Sequence, residues 1–282
     1  MSLAIWPLSS ATAQNPQPYR IVSSEGKDSN FEKLLQAAAN ADIVFFGEMH
    51  DNPICHWLQK ELTTALYDKW QQNMILGAEM FEADQQLVLD EYLKGFISEK
   101  NFNDALKLWP NYETDYKPLV VFAQQKKIPF VATNVPRRYA SMLFKNGMES
   151  LDKLPDAAKQ YMTPLPFAFD ANLPGYKAML DMGGHSNPSN ENMPKSQALK
   201  DATMAHFILR NYTSGKHFLH YNGAYHSNNK EGIVWYLQKQ NPNLKVLTIS
   251  SVEQENVDKI ETDFLKIADF VLLVNANMTK TH

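Results

Sequence analysis

Ala41-Asp42-Ile43-Val44-Phe45-Phe46-Gly47 runs directly into Glu48-Met49-His50-Asp51-Asn52-Pro53. A short β-branched and aromatic run bounded by polar residues reads as a buried strand. Pro53 suits the first turn of a helix, where the missing N–H would have no partner in any case. The unit is strand, turn, helix. From Pro53 to about Gln72 the residues Trp57, Leu58, Leu62, Ala65 and Leu66 share one stripe, and Met74 to Met80 follows as a second buried strand. The alternation continues with helices near Asp84 to Lys94, Asn103 to Leu108 and Asp115 to Lys127, a strand at Ile128 to Asn134, and a helix at Pro136 to Lys145. It resumes with helices at Ser196 to Tyr212 and Lys230 to Gln240, and strands at His217 to Asn222, Leu244 to Ser250 and Ala268 to Val274. Strands separated by helices predict an α/β fold: a mainly parallel sheet with helices on both faces. About six strands fall short of the eight of a TIM barrel.

Asp152 to Lys195 interrupts this rhythm. It holds Pro155, Pro164, Pro166, Pro174, Pro188 and Pro194, six of the 15 prolines, together with Tyr161, Met162, Phe167, Phe169, Tyr176, Met179 and Met182. A solvated loop would not need that apolar content, so the segment reads as an insertion into one domain spanning residues 21–282. Residues 1–20 read as a disordered tail or the remnant of an export signal, because Ala11-Thr12-Ala13 is the small-x-small pattern preferred before a signal-peptidase cut.

Composition narrows the function. Twenty-seven basic residues against 31 acidic ones give a net charge of −4, and no basic field of the kind that nucleic acid requires. No run approaches the roughly 20 apolar residues of a spanning helix. The single cysteine, Cys55, excludes an intrachain disulfide and a four-thiolate metal site.

Four predicted strands end in small or polar residues at the same relative point: Gly47-Glu48-Met49-His50, Gly77-Ala78-Glu79, Thr133-Asn134 and Gly223-Ala224-Tyr225-His226. Open parallel sheets bind ligands beyond the carboxyl ends of their strands, where loops diverge and helix N-termini point inward. His50, Glu79 and His226 would supply two imidazoles and a carboxylate there, a set suited to holding a divalent metal ion or to acid–base work on water. Glu48 shares the side of His50 if the chain stays extended between them. Asn134 could face the same rim or cap the following helix, and Arg137 there could grip a carboxylate. His185 and Tyr176 lie in the insertion, where they could serve as a ligand or an acid contact. His56, His206, His217, His220 and His282 fit helix or strand faces and receive no special role.

Phe46 to Pro53, Gly77-Ala78-Glu79-Met80-Phe81, Trp109 with Tyr116, Ile128 to Arg137, Tyr176 to Leu180, Gln197 with Asp201 to Ala205, and Gly223 to His226 together resemble the ChaN-like haem-binding family of iron-regulated bacterial proteins. The resemblance runs from about residue 40 to 250. It extends more distantly to erythromycin esterases and to Tiki and TraB-type proteins, which share the paired Gly-x-x-His and the strand-end glutamate. On this resemblance Glu48, His50, Glu79 and His226 form the site. It implies an exported haem-binding protein of iron acquisition, with haem held by a tyrosine and its propionates met by a histidine across a homodimer; Tyr176 and His185 are the residues it points to. It also implies a lipoprotein anchor at the membrane, carried on a segment removed from this chain. The residues alone keep a second reading open, a hydrolase of esters or peptides built on His50, Glu79, His226 and Glu48, with or without a divalent metal.

Overall fold

The structure is a computed structural model that describes residues 17–182 and 189–281. Seven strands form one sheet: β1 (Tyr19–Ser23), β2 (Ile43–Glu48), β3 (Met74–Glu82), β4 (Phe130–Asn134), β5 (His217–Gly223), β6 (Val246–Gln254) and β7 (Phe270–Asn275). Their order is β1-β7-β6-β2-β5-β3-β4, and only β1 runs antiparallel, paired with β7 from Tyr19↔Val274 to Ser23↔Phe270. The α/β expectation holds, with one strand more than the sequence indicates. Tyr19 and Arg20, expected in the tail, belong to β1, while residues 1–16 lie outside the described ones.

Ten α-helices surround the sheet: α1 (Phe31–Ala39), α2 (Pro53–Trp70), α3 (Gln86–Leu93), α4 (Glu99–Ala105), α5 (Lys117–Lys126), α6 (Arg137–Asn146), α7 (Asp156–Lys159), α8 (Pro174–Met182), α9 (Ser189–Asn211) and α10 (Ile233–Gln240). Strand β2 shows why both faces are covered. Its side chains alternate, so Val44 and Phe46 enter the core shared with α1, α2 and α5, while Ile43 and Phe45 enter the core shared with α9 and α10. Helix α2 starts at Pro53 as the sequence suggests, and Asn52 caps it: its side chain accepts from Ile54 N–H at 3.0 Å. Helix α1, absent from the sequence reading, begins the same way at Asn30, which accepts from Lys33 N–H at 2.9 Å.

The expected insertion folds onto α6 and α9. Leu151, Met162 and Leu199 share a small core with Val135, Ala140 and Leu143, and Phe167 packs against it. Met162 and Phe167 therefore serve packing in this part of the chain. Helix α9 starts seven residues before the expected Ser196 and contains Pro194, one of the prolines counted in the insertion. At the sheet edge, Gln86 of α3 imitates a further strand: its Oε1 accepts from Ala132 N–H at 2.7 Å and its Nε2 donates to Phe130 O at 3.0 Å.

Candidate functional site

Strands β2, β5, β3 and β4 are consecutive in the sheet and parallel, so their carboxyl ends share one rim. Glu48 pairs in register with Gly223. The groups that are far apart in sequence therefore meet, as the strand-end argument expects.

Glu48 is 2% exposed, and its carboxylate is held from three sides. Oε1 accepts from Tyr116 OH at 2.7 Å and from His50 Nδ1 at 2.8 Å, and Oε2 accepts from Gln59 Nε2. A carboxylate fixed in this way dictates which His50 nitrogen donates to it, and so turns Nε2 toward Gly223. A Cβ on Gly223 would sit 2.8 Å from His50 Nε2 and 3.5 Å from Glu79 Oε2, so the glycine makes room for both groups. Trp109 meets the His50 ring edge-on, with centroids 4.8 Å apart. The His50 side chain remains 36% exposed and reaches solvent. Burial opposes its charge, but the hydrogen bond to Glu48 and the charges of Glu79 and Glu48 outweigh this and raise its pKa above the ordinary histidine value.

Behind His50 lies a fully buried ionic chain. Glu79 Oε2 accepts from Gly223 N–H at 2.8 Å, and Oε1 accepts from His226 Nε2 at 3.1 Å. His226 Nδ1 donates to Asp201 Oδ1, and Asp201 Oδ2 accepts from Tyr176 OH at 2.6 Å. Burial works against the His226 charge, yet the flanking carboxylates Glu79 and Asp201 raise it to about 10. Burial likewise works against the Glu79 charge, and contact with the His226 imidazolium pulls its pKa well below the usual carboxylate range. With both ring nitrogens donating to carboxylates, His226 offers no lone pair. The divalent-metal reading of His50, Glu79 and His226 therefore does not fit. Among the described residues no group of three or more His, Cys, Asp or Glu side chains could hold a metal ion.

Tyr176 adjoins the same ionic chain. It is 3% exposed, and burial followed by the Asp201 charge drives its pKa far above the ordinary phenol value. Here it braces Asp201. His185 lies outside the described residues. Asn134 does not cap a helix: its Nδ2 donates to Glu79 O at 3.0 Å and ties β4 to β3, while Pro136 precedes α6. Arg137 stands exposed at the start of α6.

Several site residues carry no strand-end signal. His56, assigned to a plain helix face, donates from Nε2 to His50 O at 3.1 Å, and Asn111 Nδ2 donates to the same oxygen at 2.7 Å. Gln59, Tyr116 and Asp201 come from α2, the turn before α5, and α9. Asp201 and Tyr116 stand in the sequence only among the motifs of the family resemblance; an acid followed by Ala202, Met204 and Ala205 on an apolar helix face is the further cue that could have marked Asp201.

The chain matches the family described as haem-binding uptake, Tiki superfamily, ChaN, over residues 34–237. The ChaN of Campylobacter jejuni, whose structure is described as showing cofacial haem binding, superposes with a TM-score of 0.70. It is 20% identical, with 92% of this chain and 97% of that one covered. A succinoglycan biosynthesis protein reaches 0.52 at 11% identity, over 92% and 94% of the two chains. An erythromycin esterase in an open conformation reaches only 0.48 at 11% identity, over 92% and 83%. These three likenesses concern the fold; no curated protein sequence matches significantly. The family match spans most of the chain and includes both Gly-x-x-His ends, so this chain belongs to the ChaN family of haem-binding uptake proteins in the Tiki superfamily.

Proposed function

We propose that the protein binds haem in the service of iron acquisition, and that His50 meets a haem propionate at the rim of the sheet. The observation that carries this assignment is the state of His50: a solvent-reaching imidazole whose charged form is favoured by Glu48 and Glu79. A charged imidazole donates to a carboxylate, and Arg137 offers a second cation on the β4 side of the rim. Haem supplies the iron, and this chain supplies the cationic contact and the fixed ring orientation. The expected export of the protein, its lipid anchor and a homodimer that shares the ligand belong to the same proposal. The Ala11-Thr12-Ala13 pattern supports the export step.

Titration with hemin is expected to give a Soret shift that saturates at a fixed stoichiometry; an unchanged spectrum rules the proposal out. His50→Ala is expected to weaken binding about five- to tenfold, the size of a charge-assisted contact that is partly screened by water. Because the folded-state pKa of His50 is raised, its charge persists below the ordinary titration range and is lost as pH rises through the raised value. Wild-type affinity is therefore expected to fall with rising pH, and that dependence is expected to vanish in His50→Ala. Tyr176→Phe is expected to leave hemin affinity near wild type while costing about 1–3 kcal/mol of stability, because it strips a buried Asp201 oxygen of its donor. A loss of the Soret shift in this variant would restore Tyr176 as the iron ligand.

One observation favours the second reading. The Glu48–His50 pair has the geometry of a general base with its orienting carboxylate. The pH dependence then has the opposite sign, since a base works in its neutral form and turnover of an ester or peptide would rise as His50 deprotonates. A panel of such substrates with no turnover, and none lost in His50→Ala, removes it.

A further inference from the structure

The residues that follow β7 reach back across the sheet to the turn that carries His50. Ala276 N–H donates to Gln254 O at 3.0 Å, and Met278 packs against the main core. Lys280 Nζ pairs with Asp51 Oδ1 at 3.5 Å and with Glu253, whose Oε1 also accepts from Asn52 Nδ2 at 3.0 Å. Thr281 N–H donates to Asp51 O at 2.9 Å, and its hydroxyl donates to Asp115 Oδ2 at 2.9 Å. Asp115 Oδ2 in turn accepts from Asn111 Nδ2 at 2.7 Å, the same amide nitrogen that donates to His50 O at 2.7 Å. The segment thus grips Asp51 and Asn52 directly or through one partner, and reaches the carbonyl of His50 through two.

We infer that residues 276–281 form a strap that positions His50, with Thr281 as its key positioning residue. A four-residue turn between β2 and α2 has few contacts of its own to fix an imidazole against one carboxylate, and the strap supplies them from the far end of the chain. Its grip is on the backbone and side chains that follow the ring, from the His50 carbonyl to Asn52, so it acts on ring orientation and not on the buried chain behind Gly223. The inference rests on His50 being the working group of the rim. Its test therefore reads the reactivity of that one side chain in haem-free protein, so a failure to bind hemin leaves the test intact.

Carbethoxylation of each histidine by diethyl pyrocarbonate, followed by mass spectrometry, compares wild type with Thr281→Val and Thr281→Ser. Loss of the hydroxyl is expected to speed modification of His50 about threefold, because the freed ring becomes both more exposed and less charged. Half-exposed His206 on α9 should stay unchanged, and Thr281→Ser should restore the wild-type rate. An unaltered His50 rate in Thr281→Val overturns the inference. So does a parallel rise at His206, which would mark a general loosening.

Discussion

His226→Ala is expected to destabilise the protein by about 3–5 kcal/mol, the cost of leaving buried charges without their counterion. The imidazolium lies between Glu79 and Asp201, both buried, and hydrogen-bonds to each carboxylate. Removing it leaves two buried anions facing each other. Urea unfolding at neutral pH measures the loss, and Asp201→Asn added to His226→Ala is expected to recover part of it. The pH dependence follows from the direction of the shifts. The folded-state pKa of His226 is raised, so its contribution is complete below its unfolded value near 6.5 and is lost as pH rises through about 10. That of Glu79 is lowered, so its contribution is present above about 4.5 and is lost as the solution becomes acid. The stability gap between wild type and His226→Ala should therefore narrow between pH 7 and 10. A gap that stays constant would mean that His226 is neutral in the native protein.

Gly232→Ala is expected to cost about 3 kcal/mol or more, since backbone strain and hard overlap add at this position. Gly232 precedes α10 with φ +53° and ψ −123°, a conformation open to glycine and strained for any other residue. A Cβ there would collide with the carbonyl of His226 and lie 3.3 Å from Asp201 Cγ. Both neighbours belong to the buried ionic chain, so the clash has no flexible side-chain tip to push aside. Gly95→Ala is the control: Gly95 also has a positive φ, +74°, but its Cβ would meet nothing within 4 Å. Urea midpoints should separate the two variants clearly. Equal losses would mean that conformation alone, and not contact with His226, makes Gly232 necessary.

The rim was legible in the sequence because β2 and β5 carry the same Gly-x-x-His ending, and a parallel sheet brings like ends together. Glu48, His50, Glu79 and His226 were found in this way. Their roles were not, because a role depends on what packs against each residue. His226 looks like a ligand until Asp201 arrives from α9 and occupies its second nitrogen. That Tyr176 donates its hydroxyl to the same Asp201 also depends on how α8 packs on α9. Gln59 and Tyr116, which hold Glu48, sit on helical elements whose rotation about the sheet no periodicity specifies to the needed precision. At the fold level, β1 and α1 are short, 5 and 9 residues, and precede the first continuous apolar run at Ala41. β1 also lies at the antiparallel margin of the sheet, where a five-residue strand gives little pattern to read.

The amide of Gln86 has a consequence for how copies of this protein can meet. By occupying Ala132 N–H and Phe130 O it denies a neighbouring molecule the backbone ladder at which runaway fibre growth commonly starts. Backbone pairing between copies along that border is thus disfavoured.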